Sequence, residues 1–347
     1  MKWKLLTGVV AAMLAVTSAL AAPTLFQWED YVDPPFLAQY QQQYKEKPSV
    51  AMFADEDEAF AKMRAGFKPD VMALCSYSLP RWQGAGLLQP IDTTKLKNWN
   101  KIPASLRNMP GISAGPNKVW FVPQYWGNTS ITLRTDLAPE YAKSQSWNIL
   151  FDPKYKGRVA VLDGVDDMIP FIAHMMGIDA YNMTPDQWKQ VQAKLRDLIK
   201  QKQFRFVSSD NTTLTQGLAS GEIVAAMSWR VIYSSLHGKK PVAYLNPPGG
   251  MFTYVCGLSV NKNTKDVAKA TALLDSSLSD EASLYMINKT GDGPANTDVM
   301  SKVPQATLDK IGIPRDVDTF LKTGIFQKPL KNKDEMVNAW TEIHAGL

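Results

Sequence analysis

The stretch LFQWEDYVDPPFLAQYQQQYKEKPSVAMFADEDEAFAKMRAGFKPDVMALCSYS, residues 25–78, decides the architecture. Residues 25–27 read as a short strand that runs into the cluster Trp28-Glu29-Asp30-Tyr31, and residues 50–53 read as a second strand. Between them residues 35–45 have helical spacing, with Pro35 at the entry where a missing N–H costs nothing. Residues 57–66 form a second predicted helix, whose acidic first turn suits the positive end of a helix dipole. Residues 70–74 are a buried-strand candidate ending in the loop Cys75-Ser76-Tyr77-Ser78. Strands alternating with helices specify an α/β fold rather than a sandwich or a bundle, and such sheets place ligand groups in loops beyond strand ends.

Downstream the alternation continues. Residues 119–122 and 129–134 read as strands flanking an aromatic turn, Gln124-Tyr125-Trp126-Gly127, a crossing point between two lobes. A strand is expected at 159–162. The strongest helix begins at Thr184, with Pro185 first and Trp188, Val191, Leu195 and Leu198 on one face. Residues 224–228 form a strand running into Trp229-Arg230, and residues 242–245 another before Pro247-Pro248-Gly249-Gly250. Residues 252–260 form a return strand, and helices are expected at 265–279 and 334–345. No internal repeat or low-complexity tether separates these elements. The expected organisation is lobe 1 from residues 22–127 plus 254–298 and lobe 2 from 128–253 plus 299–347, joined by two short strand crossings that act as a hinge.

Upstream of this stretch, Lys2 and Lys4 precede an apolar run over residues 5–16 and the small-residue stretch Ser18-Ala19-Leu20-Ala21-Ala22. This pattern is a secretory signal peptide, residues 1–21, and the apolar run is too short to span a bilayer. The expected location is the periplasm. The 347 residues, 45% hydrophobic, are enough for two cores. Net charge is +5, and +3 once Lys2 and Lys4 are removed (5 − 2). Without a basic, aromatic-interleaved cluster, that excess argues against a nucleic-acid partner. The two cysteines, Cys75 and Cys256, are expected to be buried inert thiols, with a bond between them as the alternative. His174, His237 and His344 have no metal-ligand spacing, and the local motifs of hydrolases, nucleotide binders and dinucleotide binders are missing. The carboxylate pairs Glu29-Asp30 and Asp166-Asp167 lie adjacent on single segments rather than opposed across a bond. Neither a metal, a cofactor nor enzymatic turnover is expected.

What recurs at predicted strand ends is an aromatic residue beside an acid or small polar group: Trp28 to Tyr31, Ser76-Tyr77, Tyr125-Trp126 and Trp229-Arg230. Such groups suit an amine. An aromatic face attracts an ammonium by about 0.5–2 kcal/mol, and a carboxylate adds a charged, directional acceptor.

With Trp28-Glu29-Asp30-Tyr31-Val32, Tyr125-Trp126-Gly127, Ser146-Trp147, Pro153-Lys154-Tyr155-Lys156-Gly157, Ser209-Asp210-Asn211, Gly221-Glu222, Met227-Ser228-Trp229 and Gly249-Gly250-Met251-Phe252 in that order, the chain resembles the periplasmic spermidine/putrescine-binding proteins of ABC transporters. The resemblance implies the two-lobed type II periplasmic-binding fold, a monomer, a small amine-bearing ligand and a permease partner in the inner membrane. A ligand sensor would share these features. The resemblance also implies that Trp28 and Tyr31 line the cleft and that Asp30 faces an amine. Tyr77 matches the aromatic after the third strand. Asp167, with Asp163 as the alternative, holds an amine, Trp229 is the cleft tryptophan, and Gln327 is a late polar contact. The chain departs from the pattern where an aromatic and then an Asp follow the Gly-Gly turn, since it has Thr253 and Val255. Where the family often carries a Tyr before Pro it has Gly291-Asp292-Gly293-Pro294, which relocates an acid to Asp292. Two ligand readings follow: a diamine or polyamine held by Asp30, Asp167 and Asp292, or a zwitterion whose carboxylate is clasped by Arg230.

Overall fold

The computed structural model describes residues 21–345; the expected signal peptide over residues 1–21 lies, but for Ala21, outside them. Nine strands position the site: β1 Thr24–Trp28, β2 Ser49–Phe53, β3 Val71–Cys75, β4 Val122–Arg134, β5 Val159–Val161, β6 Phe204–Val207, β7 Ala225–Trp229, β8 Val242–Tyr244 and β9 Phe252–Asn261. They lie in the order β6-β5-β7-β4-β9-β3-β1-β2, with β8 beside β4. On the amino-terminal side β1 pairs in parallel with β2 and β3, and on the other side β5 pairs in parallel with β6 and β7. The long strands β4 and β9 run antiparallel to each other between the two groups. One edge of β4 is taken by β9 near its start and by β8 over Thr132 to Arg134, so β4 passes from one group to the other.

Two cores result. Leu25, Phe26, Met72, Leu74, Trp82, Trp126, Val255 and Leu274 belong to the first; Ile131, Val161, Phe171, Val191, Leu195, Met227, Phe252 and Trp340 belong to the second. The chain changes core between Trp126 and Ile131 on β4 and between Phe252 and Val255 on β9. A third crossing follows Phe320, because Leu330 and the helix Lys333–His344 pack in the second core. The hinge therefore has three crossings, not the two expected. The stretch from residue 299, placed in lobe 2 by the sequence, packs with the first core through Val299, Met300, Leu308, Val317 and Phe320. Its apolar residues are no different in kind from those of lobe 2, and only packing assigns them.

Local rules explain where several helices start. The helix Pro185–Lys200 opens with a reciprocal cap: Thr184 Oγ1 accepts from the Gln187 amide at 3.2 Å and the Gln187 side chain accepts from the Thr184 amide at 2.9 Å. Asp55 caps the helix Glu56–Arg64 by accepting from the Glu58 amide at 2.8 Å. Two expectations fail. Gln124 to Gly127 form no turn, being inside the thirteen-residue β4. Every residue of β4 is buried, so neither strand alternation nor a polar break marks its course. Cys75 and Cys256 are not free thiols; they face each other in register on β3 and β9 and are disulfide-bonded.

Candidate functional site

The strand ends and the two crossing strands enclose a cavity of about 130 Å³. From lobe 1, β1 ends at Trp28 and a single helical turn, Glu29–Tyr31, carries Asp30 and Tyr31 to the cavity. The Tyr31 ring stacks on Tyr125 with centroids 4.2 Å apart, and Trp28 and Tyr254 meet Tyr125 edge-on at 6.2 and 6.3 Å. Successive residues of a strand point to opposite faces. Thus Tyr125 on β4 faces the cavity while Trp126 is buried in the first core, its indole N–H donating to the Pro294 carbonyl at 3.1 Å. Gly127 returns to the cavity side. A Cβ there would lie 2.4 Å from Asp292 Oδ1 and 2.6 Å from the Tyr254 hydroxyl, so this approach requires glycine.

The carboxylates are set among these rings. Asp292, 2% exposed, accepts from the Tyr31 hydroxyl at 2.6 Å and the Tyr254 hydroxyl at 3.2 Å. Burial pushes it up to about 6, against the lowering pull of the Tyr31 hydroxyl and the nearby Arg230 charge. On lobe 2, Asp167 accepts from Thr129 Oγ1 at 3.0 Å and lies 3.5 Å from Gln327 Nε2. Burial, opposed by the Thr129 hydrogen bond and reinforced by the neighbouring Asp166 charge, raises it to about 7. Glu56 accepts from the Cys75 amide at 3.0 Å and the Trp82 indole at 2.9 Å, and burial raises it to about 7. Asp30 is raised by burial, eased by Lys289 3.9 Å away. It accepts from Asn211 Nδ2 at 2.7 Å, a bond between the lobes. The Asn211 amide oxygen has no partner and lines the same cavity. Asp163 is held by the Trp340 indole at 2.7 Å.

Among the described residues, ten Asp and Glu line the cavity and no Lys or Arg does. A site of that sign, in which burial raises Asp30, Asp55, Glu56, Asp166, Asp167 and Asp292, favours a cation over an anion.

Of the residues singled out in the sequence, Trp28, Asp30, Tyr31, Tyr77, Asp163, Asp167, Trp229, Asp292 and Gln327 all line this cavity. Arg230 does not, which overturns the expected carboxylate clasp. It is 3% exposed; Nη2 donates to Asn128 Oδ1 at 3.0 Å, Nη1 donates to the Ile311 carbonyl, and the guanidinium lies 4.2 Å from the Tyr244 ring centroid. Trp229 ends β7 facing the cleft, and the helix Arg230–Leu236 begins at the next residue, which turns the arginine inward. Sequence reasoning missed Glu56, Asp166, Asn211, Tyr254 and the Cys75–Cys256 bridge as cavity groups. Period-two alternation was the available signal for two of them: with Thr253 and Val255 on the far face of β9, Tyr254 and Cys256 face the cavity.

Comparison with known proteins places this geometry. The spermidine/putrescine-binding periplasmic protein of Escherichia coli is 23% identical over 337 residues, 94% of this chain and 93% of that protein. The putrescine-binding periplasmic protein PotF of Escherichia coli is 24% identical, covering 99% and 98%. The crystal structure of the TpPotD lipoprotein of Treponema pallidum superposes with a TM-score of 0.74 at 18% identity, covering 93% of this chain and 99% of that one. At that identity the likeness concerns the fold, the two-lobed type II periplasmic-binding architecture. The model of the bacterial extracellular solute-binding protein family matches residues 36–310, from the first helix of lobe 1 almost to its last, and the chain belongs to that family.

Proposed function

We propose that this chain is the periplasmic substrate-binding component of an ABC importer and that it captures a diamine or polyamine between its lobes. The observation that carries the reading is the sign of the cavity: ten carboxylates, no lining cation, and aromatic rings to cover the methylene chain of the ligand. Trp28, Tyr31, Tyr77, Tyr125, Tyr254 and Trp229 supply the rings; Asp30, Asp167 and Asp292 hold the ammonium groups. The relatives named for spermidine and putrescine support the same class. The inward-turned Arg230 leaves a ligand carboxylate without a partner, which disfavours the zwitterion. The protein acts as a monomer, exported through its amino-terminal signal, and passes its ligand unchanged to a membrane permease. Lobe 1 comprises residues 22–126 and 254–326, and lobe 2 comprises residues 127–253 and 327–345, a division drawn where the cores change, with Tyr254 packed beside Tyr31, Tyr125 and Cys256.

Thermal unfolding in the presence of diamines, linear polyamines, amino acids and quaternary amines tests this. A specific ligand at about 100 times its dissociation constant adds about 2.7 kcal/mol of stability. Diamines or polyamines are expected to raise the melting temperature and amino acids to leave it unchanged. A shift by amino acids alone would overturn the ligand class while leaving the fold intact.

A further inference from the structure

The carboxylates of the cavity are not equivalent. Asp292 accepts from the Tyr31 and Tyr254 hydroxyls, Asp167 accepts from the Thr129 hydroxyl and lies near the Gln327 amide, and among the described residues neither forms an ion pair. Their anchors lie on one face of β4, since Asp292 packs over Gly127 and Asp167 is bonded to Thr129. Two residues along a strand span about 7 Å. This pair therefore suits two ammonium groups separated by a short methylene chain.

Two other acids of the cavity, Asp57 and Asp166, already have a cation. Lys333, the first residue of the carboxy-terminal helix, is 9% exposed. Its ammonium pairs with Asp166 of lobe 2, lies 3.2 Å from Asp57 of lobe 1 and is 3.5 Å from Ser78 Oγ. Asp57 also pairs with Arg81 at 2.6 Å. Both Asp57 and Asp166 line the cavity, whereas Lys333, which pairs with them, does not. A buried ammonium among several acids is the environment that a third amine of a longer ligand would need, and it is already occupied.

Resting on the amine reading above, we propose that Lys333 determines specificity: it is a resident ammonium that takes the place of a third ligand amine, so the cavity accepts a short diamine and excludes a linear triamine. Removing the charge frees Asp57 and Asp166 for the distal amine of the longer ligand.

The test is calorimetric titration of the exported chain and its Lys333→Met variant with 1,4-diaminobutane and with its aminopropyl-extended triamine. The unmodified protein is expected to bind the diamine at least about tenfold more tightly than the triamine. Lys333→Met is expected to move that ratio toward the triamine by about tenfold or more, with Lys333→Arg keeping the original preference. Equal or tighter triamine binding by the unmodified protein overturns the proposal, and so does an unchanged ratio in Lys333→Met. Should circular dichroism show Lys333→Met unfolded, the ratio in the unmodified protein decides alone. Binding of neither amine defeats the amine reading itself, an outcome distinct from both amines binding with no effect of Lys333.

Discussion

Lobe 1 brings six aromatic rings to the cleft, from Trp28, Tyr31, Phe53, Tyr77, Tyr125 and Tyr254, whereas lobe 2 brings one, Trp229, together with Asp163, Asp166, Asp167 and Asp210. The difference follows from what carries each wall. The lobe 1 rings sit on or beside β1, β2, β3, β4 and β9, and β3 is tied to β9 by the Cys75–Cys256 bond. The lobe 2 acids sit just after β5, in the first turn of the helix Val165–Met175 and at the cap of the helix Asn211–Ser220. One wall is a fixed surface for stacking. The other is a set of charges and helix ends that faces it where the lobes meet, as at the Asp30–Asn211 bond. On the proposed amine reading, such a division would offer the ligand a stacking surface on one lobe and its charge partners on the other.

The most severe way to break this comparison is to cut the tie under the aromatic wall. Cys75 and Cys256 are separated by 181 residues, and closing so long a loop restricts the unfolded chain strongly. Replacing both by Ser is expected to cost about 2–5 kcal/mol of stability, read as a lower urea midpoint. An unchanged midpoint would show that strand packing alone holds that wall. Next in size are the acids, one from each lobe. Asp292→Asn and Asp167→Asn are each expected to weaken diamine binding about tenfold or more, the scale of a lost charge-assisted hydrogen bond, measured by calorimetry. Loss at Asp292 alone would leave lobe 2 as a lid without a charge role.

The smallest expected effect is that of pH. Asp167 and Glu56 are raised to about 7, Asp292 and Asp55 to about 6, in each case chiefly by burial. Acids raised in the folded state contribute stability that is present below their unfolded values near 4 and is lost as pH climbs through 6 to 7. The ligand-free protein is therefore expected to melt at a higher temperature at pH 5.5 than at pH 7.5. A bound ammonium favours the ionised acids, so binding releases protons, and affinity is expected to fall by several-fold, up to about tenfold, over the same drop in pH. Proton release appears in titrations run in buffers of different ionisation heat. Affinity that does not change with pH would mean that the cavity acids are already ionised in the free protein.

Much of the scaffold was legible because it rests on local rules. The strands at 24–28, 49–53 and 71–75 and the helices between them follow from hydrophobic runs punctuated by proline and acids. The Thr184 cap and the single apolar face of Pro185–Lys200 were equally plain. The helix Val165–Met175 was not, since Pro170 lies inside it and its first nine residues are all buried, which erases the amphipathic contrast a sequence reader needs. Around the cavity, Trp28, Tyr31 and Trp229 were found because they lie at or just beyond strand ends. Arg230, one residue further, was misplaced because whether a side chain at a strand-to-helix junction turns outward or inward depends on the helix that follows.

By itself, the sequence determined the alternation of strands and helices and the aromatic and acidic character of the strand ends, because each is written in neighbouring residues. Only the tertiary structure decided that Cys75 meets Cys256, that Asp292 lies against Gly127 and Tyr254, that residues 299–320 pack with lobe 1, and that Lys333 reaches Asp57 and Asp166 from the far end of the chain. Each of these joins residues from 38 to 276 positions apart (Tyr254 to Asp292, Asp57 to Lys333). Contacts at such range come from how strands pair across the sheet and how the lobes close, which no local pattern of residues encodes.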